Sequence, residues 1–129
     1  MTASAVRVVA ALAAAIIPFA AVAAAQADGD PARGEQLYAN CIACHPVERD
    51  VHGIGPSLAG IIGRKAGAIA GYRYSGALRR SGLTWTPEAL DTFIADPQAS
   101  VPGNRMPYDG LHDARERADL IAYLQKAAK

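Results

Sequence analysis

The sequence predicts an all-α domain with long loops. Three observations carry that expectation: capping residues open three stretches of apolar residues at helical spacing, a glycine-rich middle lacks any long periodic segment, and nothing alternates as a strand would.

Asp30-Pro31 reads as an N-cap followed by proline at the first helical position, where the missing N–H has no partner to lose. Gly34, Leu37, Tyr38 and Cys41 then fall at i, i+3, i+4 and i+7, a stripe that delivers Cys41 to the core. A glycine inside a helix costs about 1 kcal/mol relative to alanine, so Gly34 is expected where a second helix comes close. Pro46 to Gly82 reads as loops with one or two short helical turns. Trp85-Thr86-Pro87 starts the next helix with Thr86 as cap, Pro87 at the first position and Trp85 able to pack on Leu90; Asp96-Pro97 ends it. Asp113-x-x-Glu116 resembles a capping box and opens the last helix, whose buried stripe is Leu120, Ile121 and Leu124 with the Tyr123 ring.

Ahead of these elements, Met1 to Arg7 carries one positive charge, an Ala/Val/Ile/Leu run follows, and Ala25-Gln26-Ala27 fits the small-residue rule for signal peptidase. Residues 1–27 are therefore expected to be a cleavable signal peptide and 28–129 a single exported domain. A retained membrane anchor is the alternative, since the apolar run is about the minimum span of a bilayer, but the run is rich in alanine and interrupted by Pro18. Arg7 is the sole charge before Asp28, so its removal leaves 12 Lys+Arg against 12 Asp+Glu. Neither nucleic acid nor an anionic membrane surface is an evident partner for such a balance. Phe93, Trp85 and five tyrosines supply the aromatic bulk of the domain. A domain this small buries a modest fraction of its surface, and a large apolar cofactor would supply core that the sequence lacks.

Cys41-Ile42-Ala43-Cys44-His45 uses both cysteines of the chain and is the C-x-x-C-H peptide to which c-type haem is attached. Thiols three residues apart on a helical turn can each add to one haem vinyl group, and His45 follows where its imidazole can reach the iron. Zinc would need about four ligands, and beyond His45 the chain offers only His52 and His112. A dithiol redox motif should follow a strand, whereas helix precedes Cys41. A disulfide here would close too small a loop to stabilise much. One haem bound through Cys41 and Cys44 is the expectation, and its propionates would make the domain slightly acidic.

A thioether ligand can come from one place, because Met1 leaves with the signal and the chain has two methionines. The second, Met106, sits in Pro102-Gly103-Asn104-Arg105-Met106-Pro107, a proline-bracketed loop suited to holding a sulfur in place. His52 and His112 compete for the same role and read more simply as solvated loop histidines. A labile Met106 would instead mark a catalytic or ligand-sensing haem protein.

Beyond these residues, nearly all of the chain from Asp28 to Lys129 resembles the class I cytochromes c, the short soluble kind shared by mitochondria and bacterial periplasms. The blocks that carry the resemblance, in order, are 55–67 (GPSLAGIIGRKAG), 71–75 (GYRYS), 83–85 (LTW), 102–106 (PGNRM) and 116–124 (ERADLIAYL). It implies the cytochrome c fold, three main helices with short helical turns and long loops wrapped around one haem. It implies that the Pro56 carbonyl accepts the imidazole N–H of His45, that Arg64, Tyr74 and Trp85 bind a buried propionate, and that Gly34 and Tyr38 cross the last helix near Leu120 and Tyr123. By the same resemblance the protein is a monomeric electron carrier and not an enzyme. Its donor would be a quinol-oxidising complex or a periplasmic dehydrogenase, and its acceptor a terminal oxidase or reaction centre. The chain departs from many relatives in having Phe93 in place of a tyrosine that reaches the sulfur, Leu78 in place of a buried asparagine, and Gln98, Ala99 and Arg105 where lysines flank the haem edge.

Overall fold

The computed structural model describes residues 28–127, so the proposed cleavage after Ala27 lies outside the described residues. The helices are α1 (Pro31–Tyr38), α2 (Gly76–Arg80), α3 (Pro87–Ala95), α4 (Pro97–Ser100) and α5 (Ala114–Ala127). Among the described residues there is no strand, and one isolated antiparallel bridge joins Lys65 to Thr84. No described helix is long and apolar enough to cross a membrane.

Each long helix starts where its cap was expected. Asp30 accepts from the Ala32 N–H at 2.9 Å, Thr86 from Ala89 at 3.1 Å, and Asp113 Oδ1 from Arg115 and Glu116 at 2.8 and 2.9 Å. These bonds satisfy N–H groups that a first helical turn leaves without partners. Trp85 and Leu90, flanking the α3 cap, are both buried.

Two boundaries differ from the sequence reading. First, α1 stops at Tyr38 instead of running on to Cys41. Its last bonds tighten to three-residue spacing, Asn40 N–H to Leu37 O at 3.1 Å and Cys41 N–H to Tyr38 O at 2.8 Å, so a series of turns carries the two cysteines. Second, Asp96 ends α3 and also opens α4, its carboxylate accepting from the Ala99 N–H at 2.9 Å. A four-residue helix is too short to leave a periodic signal in sequence.

α1 crosses α5 at the glycine that the sequence singled out. A Cβ on Gly34 would lie 2.0 Å from the Asp119 carbonyl oxygen and 2.7 Å from Tyr123 Cβ, so only glycine permits this approach. Asp119 is 2% exposed; its carboxylate accepts from the Asp30 N–H at 2.6 Å and pairs with Arg33 at 2.8 Å. The Tyr38 and Tyr123 rings meet at 5.2 Å. On the other side of α5, Arg117 pairs with Asp91 of α3 at 2.7 Å and donates to the Leu111 and His112 carbonyls.

The long middle loop is sealed at its base. Gly63 N–H donates to Trp85 O, Trp85 N–H to Arg64 O and Ala66 N–H to Leu83 O, each at 2.9 Å. α2, capped by Ser75, is the short helical turn expected inside this loop. Helices and sealed loop together enclose a core of Trp85, Leu90, Phe93, Leu120, Leu124 and their neighbours.

Candidate cofactor site

A cavity of about 530 Å³ lies inside this frame, and all eight site residues expected from the sequence line it: Cys41, Cys44, His45, Pro56, Arg64, Tyr74, Trp85 and Met106. The turns after α1 supply Cys41, Cys44 and His45, the sealed loop supplies Arg64, Tyr74 and Trp85, and the segment after α4 supplies Met106. Leu78 and Phe93, the two apolar departures, also face the cavity. His52 and His112 do not line it. His52 Nδ1 accepts from the Ser57 N–H at 3.2 Å, and His112 is exposed.

His45 is oriented on three sides. Its Nδ1 lies 2.8 Å from the Pro56 carbonyl; a carbonyl only accepts, so the proton is assigned to Nδ1 and Nε2 keeps its lone pair. The ring packs over Gly55, where a Cβ would sit 2.3 Å from Cε1. The Tyr38 hydroxyl donates to the His45 carbonyl. Burial holds the imidazole below its ordinary pKa, against the Pro56 bond, and the Arg64 charge lowers it further. The neutral ring is the form that binds a metal. Burial likewise pushes the Tyr38 phenol up to about 12, with Tyr123 adding to the shift.

Arg64 Nη1 donates to Ala59 O at 2.8 Å and Nη2 to Ser57 O at 2.9 Å, while the buried Nε has no partner. A buried charged donor without an acceptor is costly, and a haem carboxylate beside Tyr74 and Trp85 would satisfy it. Paired thiols, a neutral imidazole, a thioether and this orphaned donor around one apolar cavity fit a covalently held haem. Zinc fits less well, since among the described residues no three His, Cys, Asp or Glu side chains gather as a metal site.

The roles of several residues at the site escaped the sequence reading. Asn104, buried behind Met106, accepts from the Met106 N–H at 2.8 Å and donates to Pro97 O and Val101 O at 2.7 and 3.0 Å. Gln98 donates to Asn104 O and Met106 O at 3.2 and 3.4 Å. An asparagine two residues before the expected ligand, able to bond the N–H two positions on, was the available signal. Nothing in sequence marks the Tyr38 hydroxyl.

A small helical domain with one such cavity behind a C-x-x-C-H turn defines a class, the single-haem proteins with covalently attached haem. The family model for cytochrome c matches residues 31–128, and the chain belongs to that family. It is 44% identical over 103 residues to cytochrome c2 of Rhodomicrobium vannielii, covering 79% of this chain and 82% of the relative. Identity with cytochrome c2 of Rhodopila globiformis is 46% over 98 residues, covering 75% and 92%. Among solved structures, cytochrome cH from Methylobacterium extorquens superposes with a TM-score of 0.72 at 46% identity, covering 75% of this chain and 98% of that one. The protein is thus a haem-based electron carrier with one haem c bound through Cys41 and Cys44.

Proposed function

We propose that the chain, cleaved after Ala27, is a monomeric periplasmic one-electron carrier in which His45 and Met106 hold the haem iron. The observation that carries this reading is the convergence, in one cavity, of the cysteine pair, an imidazole with its proton fixed away on Nδ1, and the sole methionine left after the leader. The haem supplies the ferric/ferrous couple when bound. The chain's own part is to supply two ligands, which leaves no open position for oxygen or peroxide. Pro56 fixes the imidazole tautomer and raises its basicity. Arg64, Tyr74 and Trp85 hold a propionate, and Phe93 and Leu78 keep water from the ligands.

A quinol-oxidising complex or a periplasmic dehydrogenase is the proposed donor, and a terminal oxidase or reaction centre the acceptor. The bacterial relatives named cytochrome c2 support a carrier of this kind. Met106→Ala tests the ligand set. It should abolish the sulfur-to-iron charge-transfer band of the ferric protein and open the iron to added ligands. A band that persists, or one that disappears instead in His52→Ala or His112→Ala, refutes the assignment.

A further inference from the structure

Met106 lies outside any helix, between Arg105 and Pro107, and its N–H is held by a side chain, Asn104 Oδ1 at 2.8 Å. Asn104 is 8% exposed, and its amide is anchored at the other end on Pro97 O and Val101 O. Those two carbonyls also accept backbone bonds, from Val101 N–H at 3.0 Å and Asn104 N–H at 3.1 Å. Loss of the asparagine therefore leaves both carbonyls with a partner and orphans the Met106 N–H. The short helix α4 supplies the rest of the clamp. Gln98, on its first turn, donates to the carbonyls of Asn104 and Met106.

We propose that Asn104, assisted by Gln98, is the positioning residue that holds the Met106 sulfur on the iron and so keeps the site closed to outside ligands. This rests on the reading of Met106 as a ligand. Asn104 would act through the Met106 backbone, by fixing the start of the side chain that carries the sulfur. Freed of that bond, residues 105–107 gain conformations in which the sulfur swings away, and an added ligand competes against a less organised thioether.

Imidazole titration of the ferric holoprotein, well below each variant's unfolding midpoint, tests this, because the thioether bonds retain the haem in every variant. Asn104→Ala should bind imidazole about ten- to a hundredfold more tightly than the parent, the usual scale for losing a partner of a metal ligand, and lose intensity in the sulfur-to-iron band. Asn104→Thr keeps an oxygen able to accept the Met106 N–H and should stay within severalfold of the parent. Gln98→Ala should fall between the two. Parental affinity in Asn104→Ala, or an Asn104→Thr as open as the alanine variant, overturns the proposal. If Asn104→Ala does not accumulate folded, Gln98→Ala decides alone, and parental affinity there is the contrary result. A parent that itself lacks the band and matches Met106→Ala would instead defeat the ligand assignment.

Discussion

Arg64 commits two of its three guanidinium nitrogens to the fold and leaves the third for the propionate proposed above. Two nitrogens fasten the loop carbonyls of Ser57 and Ala59, and the third is buried without a partner. On bare sequence it is a charge in a turn; only the family blocks around it suggested a propionate, and the orphaned Nε is the physical counterpart of that suggestion. On the proposed function, Arg64→Leu removes a positive charge that disfavours the ferric state. The reduction potential should fall, by an amount on the order of tens of millivolts. Voltammetry of the purified variant checks the sign, and an unchanged or higher potential contradicts the role. Cys41, Cys44 and His45 stood out by spacing and Met106 by elimination, and all four line the same cavity. Asn104 left only the local signal of an asparagine two positions before an N–H it can bond, because its other bonds run to Pro97 of α4 and to Val101 at the end of α4, a helix too short to leave a periodic signal.

At the scale of elements, helix starts were legible and helix ends were not. Asp30-Pro31, Thr86-Pro87 and Asp113 announce themselves through side chains that bond the first turn. The end of α1 depends on three-residue bonds and on the turns that carry Cys41 and Cys44, which no single residue type dictates. Gly34 was legible as a cost without a local benefit, and the α5 backbone explains it. Gly34→Ala forces a Cβ to within 2.0 Å of the Asp119 carbonyl oxygen, so the helices must separate. They would then strain the bond from Asp30 N–H to the Asp119 carboxylate. The cost should be about 3 kcal/mol or more, at the upper end of overpacking effects. Exposed Glu35→Ala on the next position should stay within about 0.5 kcal/mol. Denaturant unfolding of the two holoproteins measures the difference, and equal midpoints would place the helix crossing elsewhere.

For the whole molecule, composition fixed the amount of charge and concealed its arrangement. The cations Arg64, Lys65, Arg73, Arg79 and Arg80 all fall between Val51 and Pro87, a stretch without Asp or Glu, whereas Arg33 and Arg117 are paired with Asp119 and Asp91. Size was equally informative: a chain of 129 residues has little core of its own, and its apolar residues surround a cavity of about 530 Å³. On the proposed function, the whole fold closes that cavity on a haem whose iron His45 and Met106 would both hold. Carbon monoxide added to the reduced protein at neutral pH tests this most directly, since it binds ferrous haem wherever a position is open or readily vacated. A carrier with His45 and Met106 in place should keep its reduced spectrum unchanged. A carbon monoxide adduct formed by the unmodified protein would mean that Met106 yields the iron, and the molecule would then be a ligand-binding haem protein instead of a closed electron carrier.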